Sequence, residues 1–139
     1  MRITGYVYKF DETFGNYNRK IVKDEIISKE CEKSMSVPVL SKFTHSIGYP
    51  SITHMIGKAT LKIDDIGIYT DITIFNHTQE GCIIESLTDE QIKNEFNLGL
   101  ALLGSHNENS EFMNYCKIYY IVLGTFLSPH IYKPDHVYR

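Results

Sequence analysis

Residues 37–75 read VPVLSKFTHSIGYPSITHMIGKATLKIDDIGIYTDITIF, and the second half of this stretch decides the fold. From Ala59 to Phe75 apolar and polar residues alternate. Leu61 and Ile63 share one face of a strand, Ile68, Ile72 and Ile74 share one face of the next, and Asp64-Asp65-Ile66-Gly67 turns between them. Two such runs predict an antiparallel hairpin with one buried face. Lys62, Thr70, Asp71 and Thr73 mix both orientations around Ile66, which predicts a bulge near the turn.

Upstream of the hairpin, residues 3–10 (ITGYVYKF) are β-branched and aromatic and run into the loop signal Asp11-Glu12-Thr13-Phe14-Gly15-Asn16, so they predict a first strand. Residues 23–33 carry Ile26, Ile27 and Cys31 at a helical spacing that buries one narrow stripe. Downstream, residues 76–81 break the strand pattern. Thr88-Asp89-Glu90-Gln91 then matches a capping box, with Ile92 and Phe96 following on one helical face and Asn97 and Gly99 ending the helix. Residues 98–104 are short, apolar and flanked by glycines, as a buried strand is, although periodicity does not separate such a run from a helix end. Residues 105–113 form a polar loop, and residues 115–127 are the most β-prone stretch, with Gly124 marking a bulge or a close backbone approach. The tail from Ser128, with Pro129 and Pro134, is expected to run extended over the surface.

The 139 residues suit one domain over 1–139 with a single core. Fourteen Lys and Arg against seventeen Asp and Glu give a net charge of -3 and no electrostatic reason for a nucleic-acid partner. Cys31, Cys82 and Cys116 lack any Cys-x-x-Cys spacing, so neither a disulfide framework nor a thiolate metal site is indicated. No apolar run approaches the roughly 20 residues of a membrane-spanning helix, and the start of the chain lacks a signal-peptide core. These features read as a soluble, intracellular protein. Ten Tyr and seven Phe with no Trp suit a β-rich core. The expected fold class is α+β, mainly β: an antiparallel barrel, closed or nearly closed, with one or two helices packed outside it.

Phe43-Thr44-His45-Ser46, Met55-Ile56-Gly57-Lys58 and Asp65-Ile66-Gly67-Ile68-Tyr69 occur in an order that resembles the phage prohead proteases, serine peptidases that mature viral capsids and share a fold with herpesvirus assemblin. The resemblance implies an assemblin-like barrel and makes His45 the general base. It implies major capsid and scaffold proteins as partners and the host cytoplasm, within or on assembling capsids, as the location. A homo-oligomer is compatible with it, and no cofactor or metal is implied. The family's Gly-Leu-Ser-Ile-Gly nucleophile strand best matches residues 99–104, which puts Ala101 at the nucleophile position; anchoring on Gly104 instead puts Leu102 there. A methyl group cannot attack a carbonyl. The acidic triad position falls at about Val122, a second departure, and neither His106 nor His130, as an assemblin-type third member, lies at the matching position. Either the chain is a degenerate relative that keeps the fold for assembly, or a Ser→Ala change blocks self-digestion; Val122 favours degeneracy.

Other candidates carry less chemistry. Ser105 and His106 are adjacent, and neighbours on an extended chain point to opposite sides. His45, His54 and His77 show no ligand spacing for a metal. Asp64-Asp65 reads as a solvated turn, and Gly99 and Gly104 lack the Lys-Ser or Lys-Thr of a phosphate loop. The sequence thus predicts a prohead-protease-like protein of capsid assembly, inactive as written. The alternative is a noncatalytic structural or binding protein, either a capsid component or an unrelated β-barrel module, for which the Tyr-rich tail offers a contact surface.

Overall fold

The computed structural model describes residues 1–14, 19–21, 35–43, 54–105, 108–113, 115–126 and 132–139. In chain order the elements are β1 (Arg2–Lys9), β2 (Thr13–Phe14), β3 (Arg19–Lys20), β4 (Met35–Phe43), β5 (Met55–Ile63), β6 (Gly67–Ile74), α1 (Gln79–Ser86), α2 (Asp89–Glu95), β7 (Asn97–Ser105), β8 (Tyr115–Thr125) and β9 (His136–Tyr138). The helix expected over residues 23–33 lies outside the described residues.

The hairpin forms as its alternation requires. β5 and β6 pair antiparallel from Ile63↔Ile68 to Gly57↔Ile74, and Ala59, Leu61, Ile68, Ile72 and Ile74 are buried. Asp64 sets the turn. Its Oδ1 accepts from the backbone N–H groups of Ile66 (2.8 Å) and Gly67 (2.9 Å), the local bonding that Asp favours in turns. Gly67 is required there, because a Cβ would lie 2.0 Å from the carbonyl oxygen of Tyr8. The expected bulge is absent from this ladder. It appears one strand over, on β1, where the register against β6 shifts between Tyr6 and Tyr8.

Seven strands form one sheet in the order β7-β8-β4-β5-β6-β1-β9, and it curls into a half-barrel. The structure corrects the antiparallel expectation at one seam: β4 and β8 run parallel, from Val39↔Ile121 to Phe43↔Thr125. A parallel pair needs a long crossover, and here the crossover contains the hairpin, both helices and β7. Gly124 shows the predicted close approach, since a Cβ there would lie 2.0 Å from the carbonyl oxygen of Lys42 across this pair. Among the described residues no strand ladder closes the barrel. The two sides of the curl are bridged by residues 132–135: Leu98 N–H donates to Tyr132 O and Asp135 N–H to Thr4 O, each at 2.7 Å. β9 then pairs with β1, so the tail adds a strand where an extended surface segment is expected.

Both helices contribute side chains to the core. Ile84 of α1, Ile92 of α2 and Phe96 are fully buried in one cluster with Ile3, Val39, Ile56, Ile72, Ile121 and Leu123. α2 begins with the predicted capping box, Gln91 N–H donating to Thr88 Oγ1 (3.1 Å) and Thr88 N–H to Gln91 Oε1 (2.9 Å). It stops at Glu95, and Asn97 and Gly99, expected as helix terminators, already belong to β7. α1 starts within residues 76–81, where the sequence shows only a break in the strand pattern. Thr78 caps it by accepting from Gly81 N–H at 3.0 Å, but the segment lacks Glu or Gln three residues after the cap and carries a glycine inside its first turn. That glycine is required by packing, because a Cβ would lie 2.0 Å from Phe75 O. No described helix is long and apolar enough to cross a membrane.

Candidate functional site

His45 lies outside the described residues, as do His106, His130 and Ser128. Ala101 sits on the half-buried edge strand β7, opposite Tyr120 of β8, just before a register shift that leaves Tyr119 as the extra residue. Across β8 the register continues to β4, whose described part ends at Phe43. β4, which stops two residues before His45, and β7, which carries Ala101, therefore flank β8 and are not paired with each other. Along the strands Phe43 is level with Thr125, and Ala101 with Tyr120, five residues away on β8. Val122 is half-buried on β8 opposite Gly99.

The structure brings together a different pair. His54, immediately before β5, places Nδ1 2.5 Å from Oε1 of Glu80 in the first turn of α1. The side chain of Glu80 is 6 % exposed and that of His54 is 47 % exposed. A carboxylate only accepts, so this contact assigns a hydrogen to Nδ1, and in the neutral imidazole the lone pair is then on Nε2. The backbone of His54 is fixed as well: its N–H donates to Ser41 Oγ (3.3 Å), Ser41 Oγ reaches its carbonyl (3.4 Å), and Ser41 N–H donates to the same carbonyl (2.8 Å). Ser41 is fully buried in β4, so the histidine is anchored from the sheet through its backbone and from the helix through its ring.

This anchoring has an energetic cost. Taking a carboxylate out of water costs several kcal/mol, and the first-turn position near the positive end of the helix dipole returns only about 0.3–1 kcal/mol. Glu80 thus spends burial to orient an exposed imidazole, which is the base-and-orienter half of a triad-type arrangement. Sequence reasoning missed it because the partners are 26 residues apart and neither spacing nor motif links them. The only local signal is an acidic residue just after a helix cap, which ordinarily reads as a solvated first turn.

Among the described residues no three His, Cys, Asp or Glu side chains gather as metal ligands. The other polar clusters are structural. Tyr6 Oη donates to Asp64 Oδ2 at 2.6 Å, and this hydrogen bond, with burial second, pushes the phenol up to about 12. Tyr132 donates to the Glu12 carboxylate; burial, then that bond, raises its pKa further still. Tyr132 also accepts from Lys9 N–H (3.3 Å), so it ties the bridging segment to the end of β1.

Among the described residues these features define a mainly β protein with a curled, mixed seven-stranded sheet, two short helices and an oriented His–Glu pair. Set against known proteins, the chain matches no family model and no curated protein.

Proposed function

We propose that the chain is a prohead-protease-like protein of phage capsid assembly and maturation, with an assemblin-like ancestry for its curled sheet and without peptidase activity. The observation that carries this reading is Ala101: the residue aligned with the family's nucleophile is a methyl on β7. The motif order supports it too, since the glycines of Met55-Ile56-Gly57-Lys58 and Asp65-Ile66-Gly67 stand where backbone crowds the strand. A Cβ on Gly57 would lie 2.2 Å from Thr73 O, and Gly67 meets the carbonyl of Tyr8. The features shared with the family are then architectural, which suits a protein kept for assembly. Its partners are the major capsid and scaffold proteins in the host cytoplasm.

Incubation of the purified chain with a phage major capsid protein and its scaffold protein tests this. Both should remain uncut while the chain co-sediments with assembling capsids. Cleavage by the parent chain, abolished by Ser105→Ala, would overturn the inactive reading. Restored cleavage in Ala101→Ser would identify a lost nucleophile.

A second reading, a binding module unrelated to capsids, is favoured by the exposed Tyr119, Tyr138 and Met55, each more than two fifths exposed, and by the parallel β4–β8 seam. Failure to sediment with capsids would favour it.

A further inference from the structure

We propose that His54 is the general base of an acyl-hydrolysis site at the junction of β5 and α1, with Glu80 as its positioning residue and an activated ester or thioester as its substrate class. Three observations converge here. The ring is oriented by a buried carboxylate at 2.5 Å, the backbone is pinned by buried Ser41, and nearly half of the side chain still faces solvent. With Nδ1 committed to Glu80, the lone pair of the neutral imidazole is on Nε2. A histidine needed only for packing does not require a desolvated carboxylate to set its tautomer.

Magnitude decides the substrate. A positioned base contributes about 10²–10⁴-fold, whereas whole enzymes reach about 10⁶–10¹⁷-fold. The pair alone falls far short of what a peptide bond demands, in keeping with the absence of peptidase activity proposed above. It suffices where the leaving group is already stable as an anion, as in a phenyl ester or a thioester. Nε2 takes a proton from water as the water oxygen bonds to the carbonyl carbon and the carbonyl pair moves onto oxygen. Collapse of this intermediate breaks the bond to the leaving group, which departs with its electron pair and receives the proton from the imidazolium. The products are the carboxylic acid and the alcohol or thiol.

The inference does not depend on the capsid reading, which stands or falls on sedimentation and cleavage. The test is hydrolysis of p-nitrophenyl acetate by the full chain. His54→Ala should lower kcat/KM by about 10²-fold, the lower end for a lost base, and free imidazole should restore part of it. His54→Gln can still donate to Glu80, so it keeps the clasp without the base; it should be equally slow and melt with the parent. Glu80→Gln should lower kcat with KM unchanged, and ¹⁵N spectra should show the His54 proton redistributed between its two ring nitrogens. Parent-like rates in His54→Ala or, should that variant unfold, in His54→Gln would overturn the proposal. A Glu80→Gln variant with parent kcat and an unmixed tautomer would remove Glu80 from its role.

Discussion

Replacing Ile72 by Asp tests the core where the fold is most strongly specified. Ile72 is fully buried in the middle of β6, opposite Ala59 on β5 and Ile3 on β1. Removing the aliphatic side chain costs about 2–5 kcal/mol, and leaving a polar group there without a partner costs about 1–3 kcal/mol more. A buried carboxyl also stays protonated, and holding that proton at pH 7, about three pH units above the ordinary Asp value of ~3.9, adds about 4 kcal/mol. The combined cost, about 7 kcal/mol or more, rivals the roughly 5–15 kcal/mol that holds a domain of this size together. The sign of the pH dependence follows from proton binding. The folded variant binds a proton that the unfolded chain releases above pH ~4, so the deficit relative to the parent should shrink as pH falls from 7 towards 4. Urea unfolding followed by circular dichroism at pH 7 and pH 4.5 measures that deficit, with Thr73→Asp as the control on the opposite, exposed face of the same strand. A midpoint for Ile72→Asp within about 0.5 kcal/mol of the parent would refute the burial of this face and with it the curled-sheet core.

Two further outcomes follow from the geometry. Gly57→Ala forces a methyl to 2.2 Å from Thr73 O in the central ladder, so backbone must move; a thermal melt should fall by several degrees, whereas an unchanged melt would show the β5–β6 spacing to be wider than described. Tyr6, raised to about 12 by its bond to Asp64, should ionise late in an ultraviolet titration. Its contribution to stability is complete below the unfolded phenol value of ~10 and is lost as pH rises from there to about 12. Asp64→Asn should move the titration back towards the ordinary range, and an unmoved curve would assign the shift to burial instead.

The hairpin, the first strand and the start of α2 were all legible from residues 59–75, 3–10 and 88–96. Each is written in a period of two, a turn-forming Asp or a capping box, signals carried by residues within a few positions of one another. α1 was not, because its cap stands without the reciprocal Gln of α2 and its first turn contains Gly81, whose role is to clear the Phe75 carbonyl. The bulge was expected beside the correct turn but on the wrong strand, since alternation reports how faces are mixed and not which side of a ladder absorbs the extra residue.

What the sequence determined by itself is the strands within residues 3–10, 59–75 and 115–127, the turn of the 59–75 hairpin and the absence of a hydroxyl at residue 101. Tertiary structure alone decided that β4 lies parallel to β8, that residues 132–135 bridge the curl, and that His54 meets Glu80. The physical reason is range. Strand period and turn chemistry act over a handful of residues, whereas these contacts join segments 26 to about 130 residues apart. They form only when burial of the Ile-, Val- and Leu-rich face outweighs the chain entropy lost in bringing such distant residues together.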